Sequence, residues 1–434
     1  MPAGGRRVTV FAKSTAVSVS PVRPGKTYPL SALDELMGRH TLHLVFYYRP
    51  GPTLDREGLK ESLSEVLSHY PAVTGRLGRG EDGGWTVKCN DAGVRLLDAR
   101  ASVTLEEWLG SATAEEEMEL ACWEPMGEDP SIWSPYYIQI TEFEDKAFAI
   151  GLSCTHMHAD PTCAILLVRA WADSHRRASI AYAPFFHPPA FLPRPDPRPD
   201  HPLLSLKSSS SALAAAPKMS SATFRFSDLA VKSLLADLQA DASPFSALAA
   251  LFWSRIARAS GVPPGPGELT LFVDFRKRMH APLPHGFYGN ALHFSRARAD
   301  LADGVAHVAD HLGRHVAGLQ EEEFWAAAEW AYERRRRGEE AFQMYGPELT
   351  CLALDHVTAY GAAFEKEGEG GRPAHVSCRV GGADGEGVVV VLPAAEEGAA
   401  RTVVVTLPEE VAKTICRDDA ILRYGPTVMF AGRG

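Results

Sequence analysis

The sequence is 434 residues long, 45% hydrophobic and 23% charged, with a formal net charge of −10 at pH 7. That length exceeds what one hydrophobic core ordinarily supports, so two domains are expected. The acidic balance argues against a nucleic-acid surface, which needs a basic face for phosphate. No apolar run reaches the ~18 residues that cross a bilayer. Residues 1–20 lack the sustained apolar core of a secretory signal. The seven cysteines are scattered without metal-type pairing, as expected of reduced thiols in the cytosol.

In chain order, alternation predicts a strand at Ala16 to Val19 and another at Leu42 to Tyr48. Between them Ser31 to Met37 reads as a short helix, with Ser31 as N-cap and Asp34 three residues on in a capping-box arrangement. Leu59, Leu63, Val66 and Leu67 recur at helical spacing before Pro71 ends the element. Strands follow at Trp85 to Lys88, Tyr136 to Phe143 and Ala147 to Ser153. Ala164 to Trp171 then reads as a buried helix with Pro161 suited to its first turn.

From Pro184 to Ser221 the composition shifts to Pro, Ser and Ala with short charged pieces, including Arg194 to Pro199 and Ser208 to Ser211, the mark of a linker. The second half restarts with a strand at Thr223 to Phe226 and helices from Asp228 and Pro244. A long helical stretch spans Gly304 to Glu340. Strands at Ala374 to Val380, Gly387 to Leu392 and Thr402 to Leu407 precede a helix at Glu409 to Cys416. Strands alternating with helices in both halves predict an α/β protein. Its domains are expected at 1–183 and 222–434, with 184–221 as linker.

The chemistry centres on Gly151-Leu152-Ser153-Cys154-Thr155-His156-Met157-His158-Ala159-Asp160, where an apolar strand runs into a histidine with an aspartate four residues on. A strand end fixes the backbone, and imidazole, with an ordinary pKa near 6.5, can accept a proton at neutral pH. His156 is therefore the candidate general base. His156, His158 and Asp160 could be imagined as a metal triad, but zinc wants three or four convergent ligands and no distant fourth is evident, so no metal is expected. Arg334 to Arg337 form a basic run between glutamates, which reads as a solvated helix face. His40, His280 and His285 carry no pattern and read as surface or core residues.

A second segment runs Val273-Asp274-Phe275-Arg276-Lys277-Arg278-Met279-His280-Ala281-Pro282-Leu283-Pro284-His285-Gly286-Phe287-Tyr288-Gly289-Asn290. Here Gly286, Gly289 and Asn290 read as turn-formers with positive φ. Together with His156-x-x-x-Asp160 this segment resembles the plant BAHD acyltransferases. The resemblance continues at Ser68 to Leu77, which includes Tyr70-Pro71-Ala72-Val73-Thr74-Gly75-Arg76-Leu77, and at Pro244 to Leu248 leading to Trp253. It covers nearly the whole chain.

The resemblance implies two chloramphenicol-acetyltransferase-like domains joined by a crossover linker, with substrates entering a channel between them. It implies His156 as the base that deprotonates a hydroxyl or amine acceptor for attack on an acyl-CoA thioester. Asp160 would turn away from substrate and hold the loop by an ion pair with an arginine of the Asp274 segment, Arg276 first and Arg278 in reserve. Acyl-CoA would be a substrate, with no bound cofactor.

Three positions depart from the family pattern. Pro161 stands where a glycine follows the motif aspartate, and Glu144-Asp145-Lys146 replaces a small glycine turn. The C-terminal "DFGWG" signature, which in the family supports the fold around the CoA channel, reads Ala359-Tyr360-Gly361-Ala362-Ala363. Loss of that signature is shared with the eceriferum and glossy wax proteins. The chain is similar to that subgroup at Cys89 to Arg95, Glu106 to Leu109, Pro135 with Gln139 to Phe143, Tyr345 to Thr350 and Leu407 to Glu410.

The subgroup resemblance implies a protein that promotes very-long-chain acyl elongation for cuticular wax. It would work with the fatty-acid elongase condensing enzyme at the cytosolic face of the endoplasmic reticulum. An acyl-CoA-dependent O- or N-acyltransferase with His156 as base is the alternative, and a scaffold without ligand is the third reading.

Overall fold

A computed structural model describes residues 6–20, 22, 25–51, 55–81, 83–187, 217–239, 241–280, 283–339, 343–365 and 371–432. The linker composition over 188–216 lies outside the described residues, as do Ala281 and Pro282 of the second motif. The chain forms two compact units. The first comprises 1–190 with 284–290 and 358–381; the second comprises 191–283, 291–357 and 382–434. Two pieces of the second half of the sequence therefore belong to the first unit, a path that a simple division at 184–221 does not convey.

The first unit is built on a six-stranded sheet in the order Val8–Ala16, Val94–Ala101, Tyr136–Glu142, Phe148–Thr155, Thr41–Tyr48, Pro373–Gly381. All neighbours are antiparallel except Val94–Ala101 with Tyr136–Glu142. Phe148–Thr155 is buried at every position, consistent with a central strand covered on both faces. Helices Arg56–Leu67 and Pro161–His175 pack together, with Leu59, Leu63, Val66 and Leu67 buried as their spacing predicts. A small sheet of Thr27–Pro29, Trp85–Lys88 and Arg76–Arg79 completes the unit.

The second unit holds a seven-stranded sheet in the order Leu292–Asp300, Pro266–Asp274, Thr350–Ala353, Val388–Pro393, Arg401–Pro408, Met219–Phe226, Thr427–Met429. Its middle pairings, Pro266–Asp274 with Thr350–Ala353 and Thr350–Ala353 with Val388–Pro393, are parallel. Helices Pro244–Ala259 and Val305–Gly318 pack against one another. Among the described residues no helix is long and apolar enough to cross a membrane.

The local signals translate well. Ser31 caps Ala32–Leu36, and both bonds of the capping box with Asp34 are present. Pro161 occupies the first turn of Pro161–His175, where no N–H is required.

Two expectations are overturned. The first strand runs Val8–Ala16 and ends where alternation predicted it to begin; its pairing with Val94–Ala101 extends it towards the N-terminus. The long helical stretch expected over 304–340 is not continuous but divides into two helices, Val305–Gly318 and Glu321–Arg336. The break falls at Leu319 and Gln320, where Gln320 opens the second helix with its own capping box to Glu323. Arg336 and Arg337 of the basic run are exposed and neighbour Glu333 and Glu339, as a solvated helix end should.

Candidate active site

Strand Phe148–Thr155 delivers His156 into a short turn that ends at Asp160, the N-cap of helix Pro161–His175. His156 and Asp160 are both fully buried. The peptide of His156 is held at both ends: its N–H donates to the His40 carbonyl at 3.0 Å, and its carbonyl accepts from Asn290 Nδ2 at 2.9 Å. Burial pushes the imidazole pKa below its ordinary value. Backbone carbonyls at His156 and Ala159, the Asp160 charge and Asn290 pull it part of the way back. A neutral imidazole is the form a general base requires.

Asp160 carries a role its spacing did not reveal. Its Oδ1 accepts the N–H of Cys163 at 3.0 Å, so the motif aspartate is also the helix cap. Pro161 is favourable beside it, because the first helical residue has an orphan N–H that proline simply lacks.

His158 is engaged with two tyrosines. Its Nδ1 lies 2.6 Å from the Tyr136 hydroxyl, which lies 2.8 Å from that of Tyr288. Burial lowers His158 to about 3 and holds both phenols protonated. His158 also lines a small cavity of about 20 Å³ with Asp34, Phe186, Phe287 and Tyr288, room for one water molecule.

In the second unit Asp274, Arg276 and His356 form a cluster. Arg276 Nη1 donates to Asp274 Oδ2 at 2.6 Å, the Arg276 N–H to Asp274 Oδ1 at 2.8 Å, and His356 Nε2 is 3.1 Å from Oδ2. The Arg276 guanidinium and the hydrogen bond with His356 hold Asp274 well below the usual carboxylate range against the opposing effect of burial. Arg276 is buried while Arg278 is exposed and donates to the Val316 carbonyl at 2.8 Å. His356 lay outside every motif and carried no sequence signal.

Residues 284–290 belong to the first unit, and the turn-former reading of them needs correction. Only Gly289 has a positive φ, at 155°. Gly286 is required by close approach instead: a Cβ there would sit 1.9 Å from the Ala183 carbonyl oxygen. Asn290 is buried and acts through its side chain, since Nδ2 donates to Asp34 Oδ1 at 2.8 Å as well as to His156. His40, without a motif, is a core residue whose carbonyl anchors His156. His280 is exposed, and His285 meets the Tyr182 ring edge-on at 4.3 Å.

The other departures from the family pattern are accommodated locally. Lys146 takes φ = 67° in the glycine's stead, and the turn closes through Phe143 N–H to Ala147 O at 2.9 Å. Ala359–Gly361 forms a 3₁₀ turn. The Tyr48 hydroxyl donates to Ala362 O at 3.0 Å. Phe364, one residue beyond the altered signature, packs among Tyr48, Trp171 and His175 at 5.2, 5.3 and 5.4 Å between ring centroids.

Comparison with known proteins agrees with this architecture. The profile of the Transferase family matches residues 6–419. Protein ECERIFERUM 26-like of Arabidopsis thaliana is 27% identical over 424 residues, covering 94% of this chain and 95% of its own. A hydroxycinnamoyltransferase of Narcissus pseudonarcissus is 25% identical, covering 92% and 96%. The crystal structure of vinorine synthase superposes with a TM-score of 0.72 at 18% identity, covering 96% of this chain and 98% of that one, which shows the two-domain chloramphenicol-acetyltransferase-like fold. The chain belongs to the transferase family of BAHD acyltransferases.

Proposed function

We propose that this protein promotes very-long-chain acyl elongation for cuticular wax, working beside a condensing enzyme at the cytosolic face of the endoplasmic reticulum. The observation that carries this reading is the nearly full-length likeness to Protein ECERIFERUM 26-like, together with the altered signature at Ala359 to Ala363. Acyl-CoA is the substrate class the family implies. Association with the membrane would come through a partner or the protein surface.

A second reading is supported by the site itself: a catalytically competent O- or N-acyltransferase. His156 is neutral at pH 7 and anchored at both its N–H and its carbonyl. In this reading His156 takes the proton of the acceptor as it attacks the thioester carbonyl. CoA thiolate then leaves as the acyl group transfers.

The deciding experiment measures acyl-chain profiles in yeast expressing a plant condensing enzyme with the native protein, with His156→Ala, or with neither. Equal lengthening by both forms supports the elongation reading with a dispensable base. Lengthening by the native form alone assigns His156 a working role within elongation. No lengthening by either form sinks the first reading and moves the acyltransferase forward.

A further inference from the structure

A general base must sit within about 3 Å of the proton it takes, and a 1 Å misplacement costs on the order of 10²-fold in rate. The His156 turn must therefore be held by something, and the strand that delivers it fixes only one side. Three consecutive residues, the last of them 134 positions beyond His156, reach this turn at three points within the first unit.

Asn290 holds its start. The side-chain nitrogen of Asn290 has two hydrogens, given to Asp34 Oδ1 at 2.8 Å and to the His156 carbonyl at 2.9 Å. Both partners are acceptors, so the amide nitrogen, not its oxygen, must face them. Asp34 is itself fixed by the N–H of Asn290 at 2.7 Å, the N–H of Ser31 at 2.8 Å and the Ser31 hydroxyl at 2.7 Å. Gly289 reaches the end of the turn: its N–H lies 3.2 Å from Cys163 Sγ, and Cys163 donates its own N–H to Asp160. Tyr288 reaches the middle through the Tyr136 hydroxyl to His158 Nδ1.

We propose that Tyr288-Gly289-Asn290 is a positioning clamp for the His156 turn, with Asn290 the residue that sets where the His156 backbone lies. This rests on the reading in which His156 accepts a proton. A turn-former would direct its bonds within its own turn; the Asn290 amide reaches the His156 turn and Asp34, the Gly289 N–H reaches Cys163 in the helix that follows, and the Tyr288 hydroxyl reaches Tyr136, while the Tyr288 N–H goes to the Phe185 carbonyl. Each acts through the His156 turn.

The test uses the full chain with Asn290→Asp, which keeps the size but sets an acceptor against two acceptors, and Asn290→Ser, which stays neutral and carries the test should the aspartate variant fail to fold. Two readouts are taken: kcat and KM for His156-dependent acyl transfer, and the titration of the His156 imidazole by NMR, assigned by the signal missing in His156→Ala. The clamp predicts kcat lower by on the order of 10²-fold with KM within about threefold. It also predicts a His156 titration displaced from its native position, because the amide of Asn290 is one of the groups that set it. Variants with kcat within about threefold of native and an unmoved titration overturn it. Should the native protein show no His156-dependent activity, the base reading fails on its own. The titration then still decides the clamp: a moved titration supports it and an unmoved one overturns it.

Discussion

Arg379 forms a buried ion pair with Glu117, 262 residues earlier in the sequence. Glu117 also accepts the Tyr47 hydroxyl at 2.9 Å, and Arg379 sits on the strand Pro373–Gly381 opposite His43. The pair thus fastens a strand from the second half of the sequence to the first sheet. Removing one partner leaves a charge stranded in the core. Arg379→Leu should cost about 3–5 kcal/mol in denaturant unfolding. Arg379→Leu combined with Glu117→Leu should lose less than the two single changes added together. Additivity would show that the pair is not coupled.

Two buried histidines predict sensitivity to mild acid. Burial first, and then the Arg379 charge, lowers His43 to about 4, while burial lowers His158 to about 3. Below pH 6.5 the unfolded chain binds protons that the folded chain refuses, so stability rises with pH and falls on acidification. The contribution is fully present above 6.5 and is lost progressively as pH drops towards these values. By pH 5 each imidazole forfeits about 2 kcal/mol. Thermal unfolding between pH 7 and 5 should show the slope, and His43→Gln or His158→Gln should flatten it; an equally steep slope in both variants would assign it elsewhere.

The left-handed conformation of Lys146 is a place where the sequence departs from what its backbone prefers. An L-residue there costs about 1–2 kcal/mol, and glycine pays part of that back in unfolded-state entropy. Lys146→Gly should therefore raise stability by about 0.5–1 kcal/mol despite losing the exposed contact to Glu142 at 2.7 Å. A lower melting temperature in the variant would refute this.

Phe364 anchors the altered signature among Tyr48, Trp171 and His175 and is 1% exposed. Phe364→Ala should cost about 3–5 kcal/mol. A loss under 1 kcal/mol would mean the segment is held by its backbone bonds, such as Tyr48 to Ala362.

The family, the fold class and the elements around the site were all legible in the sequence, because each depends on residues close together in the chain. Ser31 and Asp34 make a capping box by their spacing, Pro161 fits a first helical turn by its missing N–H, and the apolar run before His156 is a buried strand by composition. Only the tertiary structure decided which distant groups meet. The sequence cannot show that Asn290 gives its amide to Asp34 and His156, that His40 supplies its carbonyl, or that His356 joins Asp274. Nor can it show that Pro373–Gly381 pairs with Thr41–Tyr48. Hydrogen bonds and ion pairs between buried groups leave no periodicity along a chain, since any acceptor with the right geometry will do; what selects the partner is the fold that brings it within 3 Å.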